Sequence, residues 1–63
     1  MTQKELAYVE DAISHEQIIT KICEDMLSKI SDEELKTFME NEISKHGSMK
    51  EKLISLLEAK NNG

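Results

Sequence analysis

Glu16, Glu42 and His46 stand where an apolar seam is expected. Carboxylates and an imidazole inside a helical bundle do one of two things. They hold a divalent metal, or they form a charged, hydrogen-bonded layer that fixes how helices align. The seam is plain in the spacing. Leu6, Val9, Ile13, Glu16, Thr20, Cys23, Leu27 and Ile30 recur at alternating intervals of three and four, as do Leu35, Met39, Glu42, His46, Met49, Leu53 and Leu56. Both series turn polar at mid-length. An ionisable group buried there costs several kcal/mol unless it is paired, protonated or bound to a metal.

Two copies of Glu16, Glu42 and His46 brought together across a two-fold axis supply four carboxylates and two imidazoles. That is the ligand inventory of di-iron and di-manganese carboxylate bundles, and iron, manganese or zinc suits it. Such bundles use Glu-x-x-His, whereas Glu42 and His46 are four apart. The two spacings differ by roughly 100° of helix rotation, which a π-bulge near Gly47 would correct. The competing reading is a polar layer, with Glu16 paired to His46 and Thr20 hydrogen-bonded to Glu42. It needs no cofactor. Both readings remain open on the sequence.

The elements that must position these groups are two helices. Thr2 followed by Glu5 makes a capping box for a helix over about residues 3–30. Ser31-Asp32-Glu33-Glu34 makes a second one, placing the turn near Ser31 and the second helix over about 32–60. Asn61-Asn62-Gly63 reads as a C-terminal cap and frayed tail. A short turn forces antiparallel packing, and facing residues then have numbers summing to about 62. Cys23 faces Met39, Thr20 faces Glu42, and Glu16 faces His46. Ala12, Ile19, Met26 and Ile22 on one helix, and Phe38, Ile43, Ile54 and Leu57 on the other, widen the apolar surface beyond one seam. A face this broad is that of a multi-helix bundle. The expected fold is all-α, one helical-hairpin domain that dimerises into a four-helix bundle. Its dimer core is Ile19, Cys23, Met26, Phe38, Met39, Ile43, Met49 and Leu53, and the metal set Glu16, Glu42 and His46 is completed across the dimer. A larger array of such dimers is the alternative.

Composition removes other classes. The 63 residues carry a net charge of −5, and no arginine. That disfavours nucleic acid and anionic membranes as partners. One Tyr, one Phe and no Trp leave little for stacking. No stretch approaches the ~20 apolar residues of a membrane span, and no signal-peptide pattern opens the chain. The single Cys23 rules out an internal disulfide framework and reads as core filling. No nucleophile–base pair or glycine-rich phosphate loop is present, so hydrolase chemistry is not expected. His15 points about 100° away from Glu16, a solvated or dimer-edge position. Gly47, flanked by Ser44 and Ser48, reads as close approach of a partner helix or as a tolerated helical glycine.

The run Gln3-Lys4-Glu5-Leu6-Ala7-Tyr8, followed by Glu10-Asp11-Ala12-Ile13-Ser14-His15-Glu16, resembles the start of small coat F-like proteins of spore-forming bacteria. Asp32-Glu33-Glu34-Leu35, with a histidine eleven residues later, is similar too. The resemblance spans nearly the whole chain. It implies a half-ferritin-like hairpin with a structural role that assembles with itself and with other coat proteins, no enzyme activity being established for that family. It places the chain in the cytoplasm or the spore coat. By the same resemblance, the ferritin-like first-helix Glu corresponds to Glu16, and the second-helix Glu and His to Glu42 and His46. The small hairpin phosphatases of sporulation carry Ser-x-Glu-Leu-Asp late in their second helix, and Leu53-Ile54-Ser55-Leu56-Leu57 does not match it.

Overall fold

Thr2 starts the first helix by the expected device. Its hydroxyl accepts from the Glu5 N–H at 3.1 Å, and the Glu5 carboxylate accepts from the Thr2 N–H at 2.7 Å. The Thr2 backbone N–H first, and its hydroxyl second, hold the Glu5 carboxyl below its usual value. A depressed carboxyl stabilises the helix start above the ordinary carboxylate range. That contribution is lost as pH falls through the lowered pKa.

The structure is a computed structural model that describes the backbone of residues 1–62 and the side chains of residues 1–60. Helix α1 is Gln3–Leu27 and helix α2 is Glu33–Asn62. Among the described residues there is no strand, and no helix is long and apolar enough to cross a membrane. The cap expected at Asn61-Asn62-Gly63 falls on residues whose side chains, or all of whose atoms, lie outside the described set.

Both boundaries at the turn differ from expectation. Helix α1 ends at Leu27, three residues before Ile30. Its last carbonyls are satisfied locally: Ser28 N–H donates to Glu24 O, Lys29 N–H to Met26 O, and the Ser28 hydroxyl to Asp25 O. Helix α2 is capped by Asp32, not Ser31. Asp32 Oδ1 accepts from the Leu35 N–H at 2.8 Å, and its carbonyl accepts from the Lys36 N–H. The capping residue therefore sits one position later, and Glu34 is not at the place from which it would reach back.

The helices lie antiparallel in a rod with extents of 46 × 15 × 11 Å. Among the described residues only Cys23 and Met39 are buried. The α1 seam is as expected, with Leu6, Val9, Ile13, Glu16, Thr20 and Leu27 half-buried around Cys23. On α2 the seam is rotated. Leu35, Met49 and Leu56 are exposed, while Ile43, Ile54 and Leu57 join Met39, His46 and Leu53 against α1. The two apolar rows of α2 offer comparable area, so periodicity alone leaves its rotation free. Lys36 and Lys50 lie half-buried at the seam edge, where an aliphatic stem can cover apolar surface. Helix α2 stays α-helical through Gly47, without a π-bulge. A Cβ there would meet nothing within 4 Å, so α1 makes no close approach at that point.

The shifted cap is testable. Asp32→Ala is expected to cost about 1 kcal/mol, and Ser31→Ala less than about 0.5 kcal/mol, in chemical or thermal unfolding. Equal costs would return the cap to Ser31.

Candidate functional site

The polar residues at mid-length meet across the helix pair. Glu16 and His46, thirty positions apart, are hydrogen-bonded through Glu16 Oε2 and His46 Nδ1. A carboxylate can only accept, so Nδ1 carries the proton and donates it. This contact confirms the expected register in which facing numbers sum to about 62. The other ring nitrogen, Nε2, lies 3.7 Å from Glu42 Oε2, one helical turn away on the same helix. Glu42 Oε1 is in turn 3.5 Å from Lys45 Nζ. The result is a line of charge, carboxylate–imidazole–carboxylate–ammonium, running from α1 to the surface of α2.

Burial falls along that line. The side chains of Glu16, Glu42 and His46 are 18%, 26% and 27% exposed, and that of Lys45 is 74% exposed. No described buried side-chain nitrogen or oxygen lacks a hydrogen-bond partner. Thr20 takes a different partner from the one expected. Its hydroxyl donates to the Glu16 carbonyl at 2.8 Å, within its own helix, rather than to Glu42.

The arrangement within one hairpin is not a chelate. Glu16 and Glu42 occupy opposite nitrogens of one imidazole, so the three groups do not point at a common centre. Among the described residues no group of three or more His, Cys, Asp and Glu side chains is placed to hold a metal ion. What remains open for coordination is the pair His46 Nε2 and Glu42, with Glu16 holding the ring from behind. That is the outer-shell role a carboxylate plays behind a ligating histidine.

The expected dimer-core residues divide into three groups. Cys23 and Met39 spend their surface inside one hairpin. Ile19, Ile43 and Leu53 are half-buried there, and Met26, Phe38 and Met49 remain exposed. His15 is exposed and joins no cluster. A cleft at the open end of the hairpin, lined by Met1, Glu5, Tyr8, Val9 and Lys60, was not anticipated. It brings one carboxylate, one amine and apolar surface together without a nucleophile or base pair. No family model matches the chain, and neither a curated protein nor a solved structure matches it.

The pair's energetics are testable by a double-mutant cycle. Glu16→Leu or His46→Leu alone leaves a half-buried partner unpaired and is expected to destabilise by about 1–3 kcal/mol. The double Leu variant is expected to be no less stable than the native hairpin, because apolar packing replaces the pair. Additive losses in thermal unfolding would show that the two side chains act independently.

Proposed function

We propose that this chain is a non-catalytic assembly protein, a hairpin that associates with itself into a helical bundle and uses Glu16–His46 to fix its register. The observation that carries the reading is the near-absence of an internal core. The most buried apolar side chains are Cys23 and Met39, still 9% and 6% exposed. A domain of this size is marginal alone and commonly draws on disulfides, a metal or a partner, and its single free cysteine forms no internal disulfide. A polar layer is a known device for selecting one alignment and one oligomeric state at some cost in stability. The sequence runs quoted above add the coat F-like character of the assembly, with other coat proteins as further partners.

Self-association is checked by sedimentation velocity and by thermal unfolding across a hundredfold range of concentration. The expected result is twice the chain mass and a midpoint that rises with concentration. A single-chain mass and a fixed midpoint at every concentration would reject the reading.

A ferritin-like metal reading keeps one observation in its favour. His46 Nε2 and Glu42 Oε2 face each other 3.7 Å apart, with the other ring nitrogen already held by Glu16. A two-fold partner doubles that pair to four ligands for iron, manganese or zinc. Added Zn²⁺ or Mn²⁺ is then expected to raise the unfolding midpoint of the native protein, and Glu42→Gln to abolish the rise. No shift with either ion removes this reading and leaves the polar layer.

A further inference from the structure

Most of the exposed large apolar side chains are grouped, with Ile18, half a turn from the α1 seam, standing apart. On α1, Tyr8, Ile22 and Met26 lie roughly a quarter-turn behind the seam. On α2, Phe38, Met49 and Leu56 lie roughly a quarter-turn behind theirs. All six are between 44% and 61% exposed. In antiparallel neighbours, displacement in the same rotational sense from the shared seam falls on the same side of the pair. One broad face of the rod therefore carries both strips. The opposite displacement on both helices reaches Glu10, Glu24, Glu40, Glu51 and Glu58, with Lys21 among them, all exposed. The hairpin has one apolar face and one acidic face.

Resting on the assembly reading above, we infer that a second copy of this chain docks on the Tyr8–Ile22–Met26–Phe38–Met49–Leu56 face, and that assembly closes at a dimer. Area sets the occupant. The chain exposes 4932 Å², roughly 800 Å² more than a compact monomer of its mass exposes by the usual scaling. A standard interface covers about 800 Å² per partner. One self-complementary face matches that excess. Charge sets the closure. An isologous contact consumes the same patch on both copies, and what remains outward is predominantly acidic, five carboxylates to the one amine of Lys21. Two such faces repel each other on balance, and Ile18, 58% exposed and half a turn from the α1 seam, is too little apolar surface to seat a third copy. Met49 and Leu56 then recover the burial that the α2 rotation denied them inside one hairpin.

The test places a benzophenone amino acid at position 38 or at position 40 of the full chain and follows photo-crosslinking by mass, alongside sedimentation of Phe38→Glu and Glu40→Gln. Crosslinked dimer is expected from position 38 and not from position 40, with no larger species. Phe38→Glu is expected to weaken association on the order of a hundredfold or more, and Glu40→Gln by less than about threefold. If Phe38→Glu fails to fold, the crosslinking arms decide alone. A dimer crosslinked equally from both positions, a ladder beyond dimer, or a Phe38→Glu variant that associates as tightly overturns the face while leaving self-association intact. A native chain that is monomeric at all concentrations overturns the assembly reading itself.

Discussion

Among the described residues, one side-chain hydrogen bond joins the two helices, and it is Glu16 to His46. The rest of the hairpin depends on it. It marks the sliding register, pairing residues whose numbers sum to about 62. It also limits rotation. His46 faces α1 so that its Nδ1 reaches Glu16, and the rotation that α2 adopts about it places Ile43, Ile54 and Leu57 in the seam and Phe38, Met49 and Leu56 outside.

Such a contact is an expensive way to hold helices together if stability alone is at issue. Desolvating a carboxylate and an imidazole offsets much of their attraction, and well-packed leucines would do as well. Partial burial keeps the cost moderate here, since each side chain retains some access to water. What apolar packing cannot supply is discrimination. A seam of leucines and isoleucines accepts several alignments at similar energy, whereas a donor and an acceptor thirty residues apart accept one.

The helices, their polarity and their order were legible in the chain. The Thr2–Glu5 box, the heptad spacing and the acidic run after Ser31 each act through local geometry that no partner can alter. The Glu16–His46 contact was legible too, because an antiparallel hairpin leaves few registers and only one aligns the polar layers. Thr20 was misassigned for an equally local reason. A threonine hydroxyl mid-helix finds the carbonyl four residues back closer than any group across the interface. The cap moved from Ser31 to Asp32 because several residues in that run are competent caps, and the path of the turn chooses among them.

Sequence by itself determined that this chain forms two amphipathic helices with a polar layer at mid-length, since both follow from residue type and a fixed helical period. Tertiary structure alone decided how far α2 turns about its own axis, and hence which apolar row is inside and which is outside. The reason is that burial energy depends on area rather than on direction. Two apolar rows flank the same histidine on α2, so the Glu16–His46 bond is compatible with either, and packing along the length of the other helix selects between them.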